Sequence, residues 1–232
     1  MFTKNDLITE ERLAHLRENR KIKREENFKK LQPYMGEDAI DEIRNIYEMF
    51  DERMLIWYAS LYDPEIGGFY FSNSARDTEG FLPDIESTAQ AVNFIACMSG
   101  ICGKEEDGDY PITHFPKNLS DKICNFAYNL QDEDGYFYHP QWGKDVSAPR
   151  RGRDCGWAWR MITPLGKKTK YLRATERKGR SDVEVTLPDY LQSLDLFKEW
   201  MRKYDLKTKS YPFGNLINAT ASQIRAAGPE FV

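Results

Sequence analysis

The densest concentration of reactive side chains in this 232-residue sequence lies between His139 and Asp154. The run His139-Pro140-Gln141-Trp142-Gly143-Lys144-Asp145 leads to Arg150-Arg151-Gly152-Arg153, so an imidazole, an indole and three guanidinium groups stand together. Guanidinium forks pair bidentately with carboxylate or phosphate, and an indole offers a flat face to a sugar ring or a base. From 150 to 180 there are eleven Lys and Arg against Asp154 and Glu176, a local excess of nine positive charges. An anion-binding mouth is one reading of this stretch. A solvated, mobile loop over 166–181 is the other and serves equally well for the lysines, but less well for arginines flanked by glycine and aromatic residues.

The acid/base candidates are Asp84, Glu86 and Asp154. The pattern predicts that Asp84 and Glu86 open one helix and that Asp154 opens another at the equivalent place. A carboxylate there is favoured by the helix dipole and by free amide donors, which is also all that a structural cap requires. Acid/base catalysis at a sugar demands more, namely two carboxyl groups roughly 5–10 Å apart across a cleft. Tyr70, Phe71, Tyr138 and Tyr211 either line a binding funnel or wedge helices together, wedging being the commoner use of such aromatics.

These residues must be held by helices. Ile40, Ile43, Tyr47, Phe50, Met54, Tyr58 and Leu61 recur at steps of three and four, predicting one long helix over 38–61 that ends at Asp63-Pro64-Glu65-Ile66-Gly67-Gly68. A second helix over 85–99 carries Ser87, Thr88, Ala89, Ala91 and Ala96, small residues that let helix axes approach closely. The series then recurs. Helix 118–130 leads to Asp132-Glu133-Asp134-Gly135-Tyr136-Phe137-Tyr138 and a helix over 154–165. Helix 187–204 leads to Ser210-Tyr211-Pro212-Phe213-Gly214 and a helix over 218–227 capped by Asn218. Aligning Gly68, Gly135 and Ser210 gives three helical hairpins, each with an aromatic turn and a long loop. Residues 1–36 precede them. Nine Lys and Arg and six Asp and Glu within the first 31 residues leave too few apolar positions for a continuous face, predicting a solvated helical arm, either a docking segment for an acidic partner or a charged helix lying on the domain.

Helix, Asp-x-x-Gly-aromatic turn, loop and small-residue helix together resemble the repeat of the α/α toroids, the fold of the terpenoid cyclases and protein prenyltransferase β subunits. Six-hairpin glycosidases and toroid polysaccharide lyases are similar in architecture. Leu130-Gln131-Asp132-Glu133-Asp134-Gly135-Tyr136-Phe137 looks like the Leu-x-x-Gln-x-x-Asp-Gly-x-Phe element of cyclases and prenyltransferases. The resemblance implies an all-α fold of repeated hairpins, about half of an α/α toroid over 37–232. A further segment or a second subunit would close it. Arg153-Asp154-Cys155-Gly156-Trp157 resembles the prenyltransferase region that supplies zinc ligands. Asp154 and Cys155 are adjacent rather than spaced, however, and His15, His114 and His139 all precede them, so no metal and no cofactor is expected.

Composition narrows the function classes. A content of 41% apolar and 13% aromatic residues supports a sizeable core. A net charge of −4 argues against wholesale nucleic-acid binding. The four cysteines at 97, 102, 124 and 155 form neither a Cys-x-x-Cys pair nor a Cys/His quartet. No apolar run reaches the roughly 20 residues of a membrane helix, and the sequence reads as soluble and cytoplasmic. The leading expectation is a toroid domain that binds or processes a polyhydroxylated, anionic, saccharide-like molecule, as hydrolase or lyase if it is an enzyme. Its ligand contacts would be His139, Trp142, Arg150, Arg151, Arg153, Trp157, Tyr70 and Tyr138. The rivals are a terpenoid or prenyl enzyme with an aromatic, uncharged funnel, and a non-catalytic interaction module that self-associates or meets a partner through its open edge.

Overall fold

The computed structural model describes residues 2–49, 52–98, 102–104, 111–113, 115–173, 176, 187–227 and 231. The described chain is predominantly helical, with two small antiparallel strand pairs. It divides into two compact units, Met1–Cys124 with Thr163–Gly166, and Asn125–Ile162 with Lys167–Val232. Among the described residues no helix is long and apolar enough to cross a membrane.

In the first unit, α1 (Lys4–Leu7) is opened by Thr3, whose amide donates to Asp6 Oδ2 at 2.7 Å. Leu7 and Ile8 are fully buried, and Lys4 is ion-paired with both Glu10 and Glu52. The long charged helix α2 (Glu10–Met35) buries only scattered positions such as Leu13 and Phe28. It is nevertheless fastened to α3 (Glu37–Glu48): the Arg44 guanidinium lies 2.9 Å from Glu25, and the Phe28 and Tyr47 rings are 6.3 Å apart. The charged arm is helical, as expected, and packs on α3 within the first unit.

The single helix expected over 38–61 is two helices, α3 and α4 (Glu52–Leu61), with residues 50 and 51 outside the described set. In α3 the buried position is Ile40, on the expected stripe, and α4 buries Leu61 from that stripe together with Leu55 and Ala59, beside the half-buried Met54 and Tyr58.

Strands β1 (Tyr62–Asp63) and β2 (Gly68–Phe69) then form a tight turn, with Tyr62 opposite Phe69. The Asp63 carboxylate accepts from the amides of Glu65 and Ile66 and from the Tyr70 hydroxyl. Gly67 has φ of 86°, and a Cβ there would stand 2.7 Å from the Lys122 carbonyl oxygen, so both conformation and space select glycine. After the short helix α5 (Asn73–Arg76) comes α6 (Ile85–Met98), close to its expected range. Its small residues Ser87, Thr88, Ala89 and Ala91 are buried as anticipated, and Val92 beside them is fully enclosed. Ser87 donates to the Phe69 carbonyl at 2.6 Å and Thr88 accepts from the Phe69 amide at 3.0 Å, so this helix pins the turn. Strands β3 (Cys102–Lys104) and β4 (Pro111–Thr113) form a second pair, and α7 (Lys117–Leu130) follows, the division between the units falling within it.

In the second unit the turn recurs. Gln131 bridges Phe137, Gly135 has φ of 86°, and the Tyr138 amide donates to the Leu130 carbonyl as the Tyr70 amide does to Leu61. Asp134 accepts from the Tyr136 amide and the Tyr138 hydroxyl, repeating the role of Asp63. Matching conformations align Gly135 with Gly67 rather than with Gly68, a one-residue correction to the expected register. Helix α8 (Ala148–Ile162) completes this copy, and the 3-10 turn that follows it in the chain, Thr163–Leu165, belongs to the first unit.

The third copy keeps only half of the turn. Asp205 accepts from the amides of Lys207 and Thr208, as Asp63 does from its own followers. Lys209 stands where Gly67 would be, however, and has no positive φ, so the return strand is replaced by helix α10 (Ser210–Ala227). Asn218, expected to cap a helix, lies in its middle. Helix α9 (Leu194–Arg202) is shorter than the expected 187–204, because Ser193 caps it, accepting from the Leu196 amide, and Asp189–Leu191 forms a 3-10 turn.

Candidate functional site

Helix α8 begins six residues before Asp154. Ser147 opens it, its hydroxyl accepting from the Arg150 amide at 3.4 Å and its carbonyl from the Arg151 amide at 3.0 Å. Pro149 lies in the first turn, where an amide has no helical partner to lose. The three arginines expected in a loop ahead of the helix are therefore inside it, and Asp154 is not an N-terminal cap. It lies in the second turn, 4% exposed, with Oδ2 3.1 Å from Arg150 Nε.

This shift sorts the arginines by helical phase. Arg150, Arg153, Trp157 and Arg160 follow one another at steps of three, four and three, and all line a cavity of about 760 Å³. Arg151 shares the phase of the buried residues Cys155, Ala158 and Ile162 and does not line the cavity. Its guanidinium lies 5.3 Å from the Tyr136 ring centroid. Of Arg150, Arg151 and Arg153, expected together as anion contacts, Arg150 and Arg153 line the cavity.

The opposite wall is α10, which presents Tyr211, Asn215, Asn218 and Arg225. The two helices meet at Gly152, where a Cβ would stand 2.1 Å from the Ala219 carbonyl oxygen. A third contribution comes from the segment after α8. The side-chain amide of buried Gln131 bonds the Tyr171 backbone as a strand would, accepting from its amide at 2.8 Å and donating to its carbonyl at 3.0 Å. Tyr128 adds a bond to the Lys168 carbonyl. This anchorage sets Arg173 at the cavity, 5.7 Å from the Trp159 ring.

Five arginines therefore surround the cavity, and among the described residues no Asp or Glu lines it. Arg150 is backed by Asp154, and Arg173 by Glu176 at 3.0 Å. Burial pushes the Glu176 carboxyl up, but its bonds from Arg173 outweigh that and hold it below the usual range. Trp157, with the Arg160 guanidinium 5.2 Å from its ring, and Trp159 supply flat apolar surface, while Asn215 and Asn218 supply both donors and acceptors.

The other expected contacts are occupied elsewhere. His139 is buried, its Nδ1 accepting from the Gln141 amide, and its ring lies 4.6 Å from that of Trp142. Trp142 is 42% exposed, but Arg150 sits 4.4 Å from its centroid, and neither His139 nor Trp142 lines the cavity. The hydroxyls of Tyr70 and Tyr138 fasten their turns. Asp84 Oδ1 accepts from the Ser87 amide at 2.6 Å, the geometry of a cap, and Glu86 accepts from Gln90. Both acids belong to the first unit, while the cavity is built by the second. Burial pushes the Cys155 thiol far up, out of the reactive range, and it donates to the Gly135 carbonyl. Among the described residues no three His, Cys, Asp or Glu side chains converge as metal ligands.

Sequence reasoning missed Trp159, Arg160, Arg173, Asn215, Asn218 and Arg225 as a set. The signal for Arg160 was present, since continuing the Arg153–Trp157 spacing by three reaches it. No local pattern pointed to Arg173, which is delivered by a side chain forty residues away. No protein-family model matches the chain, and neither a curated protein nor a solved structure matches it.

Proposed function

We propose that the second unit is a binding domain for a polyhydroxylated anion, a saccharide bearing carboxylate or a similar group, held between α8 and α10. The observation that carries this reading is the lining itself: five guanidinium groups, two indoles and two carboxamides around one cavity with no carboxylate among the described lining residues. Guanidinium forks suit planar anions, indole faces suit the apolar face of a pyranose, and carboxamides suit hydroxyls. Within this reading the repeated hairpins are those of an α/α toroid. Binding, rather than hydrolysis, is what the lining supports, because hydrolysis at a sugar calls on carboxyl groups facing each other across the cleft. A terpenoid or prenyl substrate accounts poorly for the five arginines.

The test is calorimetric titration of the full chain with a hyaluronan hexasaccharide and with a neutral chitin hexasaccharide. The acidic sugar should bind, and the neutral one at least tenfold more weakly. Replacing both Arg153 and Arg160 by Gln should weaken the acidic sugar by more than tenfold, about 1.4 kcal/mol, and flatten its salt dependence. Equal binding of both sugars, or an unchanged double variant, would overturn the proposal.

A specific observation also favours self-association through the first unit, whose helices α3 and α4 expose Ile46, Met49, Ile56 and Trp57. Sedimentation equilibrium should show dimers or larger species that Ile46→Lys with Ile56→Lys disperses. A monomer at all concentrations would refute it.

A further inference from the structure

The proposed function leaves open whether the cavity takes a single acidic sugar or a chain. Its walls are long. On α8 the lining runs from Ser147 to Arg160, thirteen helical steps or about 20 Å. On α10 it runs from Tyr211 to Arg225, fourteen steps or about 21 Å. A monosaccharide would occupy a small part of such a groove, whereas an extended chain of about four sugars covers the 20 Å wall.

The charges are distributed in the same way. Arg153 and Arg160 are both exposed, share one face of α8, and are separated by seven residues, about 10 Å along the axis. That is the advance of two consecutive sugars. Trp157 lies between them on the same face, where a sugar without an acidic group would rest against its ring. Across the groove, Asn215 and Asn218 are one turn apart and offer hydroxyl partners along the same path.

Resting on the reading that this site binds an acidic saccharide, we infer that its ligand is an extended oligosaccharide with anionic groups on alternate sugars, one facing Arg153 and the next facing Arg160. The uncharged sugar between them stacks on Trp157. A densely charged strand such as single-stranded nucleic acid also combines charge with flat rings. It is disfavoured by the wide spacing of Arg153 and Arg160, by the carboxylates behind Arg150 and Arg173, and by the net charge of −4.

The experiment is calorimetric titration of the full chain with glucuronate and with hyaluronan oligosaccharides of two, four and six sugars, in which the carboxylate recurs on every second sugar. Affinity should rise at least tenfold between two and four sugars and change less than threefold between four and six. Arg160→Gln should reduce tetrasaccharide affinity about tenfold while altering glucuronate binding by less than threefold. Trp157→Ala should weaken the tetrasaccharide without flattening its salt dependence. Far-ultraviolet circular dichroism identifies any variant that has lost its fold, and Arg160→Lys, which keeps the charge but not the fork, then stands in for it with a smaller loss.

Equal affinity for glucuronate and the hexasaccharide would overturn the extended-chain inference and leave the acidic-saccharide reading standing. Absence of binding by every acidic sugar would overturn both. Tighter binding of a thymidine oligonucleotide than of the hexasaccharide would overturn both and reassign the groove to nucleic acid.

Discussion

Gly152 is the residue on which the geometry of the second unit turns, and its replacement by alanine gives a prediction with an internal control. A Cβ at this position would stand 2.1 Å from the Ala219 carbonyl oxygen and 3.1 Å from Gln223 Oε1. Ordinary van der Waals contact begins at 3.4 Å, so the helices must separate by about 1.3 Å, because the obstacle is backbone and cannot rotate aside. Overpacking of this kind costs about 3 kcal/mol at the upper end of its usual range. At about 2–4 °C per kcal/mol for a chain of this size, its melting temperature should fall by roughly 6–12 °C. Gly156 lies one turn further along the same helix, where an added Cβ meets nothing within 4 Å. Gly156→Ala should therefore gain about 0.5–1 kcal/mol from the lower backbone freedom of the unfolded chain. Urea unfolding followed by circular dichroism and by tryptophan fluorescence reads both variants. If Gly152→Ala lies within 0.5 kcal/mol of the parent, or if the two variants shift stability in the same direction, the close approach of α8 and α10 is wrong and the cavity built on it fails as well.

Asp84→Ala should lower stability by about 1 kcal/mol through loss of the α6 cap and leave acidic-sugar affinity unchanged, and an affinity loss above threefold would return Asp84 to the binding site. Tyr62 is buried with no hydrogen-bond partner for its hydroxyl among the described residues, and burial pushes its phenol up to about 12. The folded state then keeps a proton that the unfolded chain releases near pH 10, so stability should be intact below pH 10 and fall by about 1.4 kcal/mol per pH unit toward pH 12. Tyr62→Phe should be neutral or stabilising by up to about 1 kcal/mol at pH 7 and should remove that part of the alkaline slope, as urea midpoints from pH 9 to 12 will show; an unchanged slope would contradict it.

Much of the helical pattern was legible because it depends on local chemistry. Asp63 and Asp134 hold their turns by accepting from a backbone amide and a tyrosine hydroxyl, local bonds that aspartates beside a glycine turn supply, and the burial of Ala89 and Val92 follows from spacing alone. The misses came where one local rule met a competing one. An apolar stripe ran unbroken through Phe50 and Met54, yet α3 ends at Glu48, and α4 buries Leu55 and Ala59 beside the stripe as well as Leu61 on it. At Ser210 a turn was expected from its alignment with Gly68 and Gly135, although proline in a first helical turn is favourable and the segment is helical. Arg173 was invisible for a different reason: its position is set by Gln131 acting as a surrogate strand, and long-range side-chain bonds leave no periodicity in a sequence.

The most consequential error concerned five residues. When the first two copies are aligned on Gly67 and Gly135, whose φ angles match, Ser87 falls opposite Cys155, and both donate to carbonyls of their turns. In that register Asp154 corresponds to Glu86, and the capping position of Asp84 is filled by Gly152. Helix α6 starts at Ile85, whose counterpart is Arg153, but α8 starts at Ala148, so the second copy has gained more than a turn of helix at its N-terminal end. Only with that extension does the segment carrying Arg150 become helical, and only then do Arg150, Arg153, Trp157 and Arg160 fall on one face. The same extension brings Gly152 inside the helix, where its missing side chain admits α10. A duplication that had kept the shorter helix would have left a cap at the start, as Asp84 is, and guanidinium groups scattered over a loop. Lengthening one helix accounts at once for the loss of the expected acid from the site and for the ordered row of cations that replaced it.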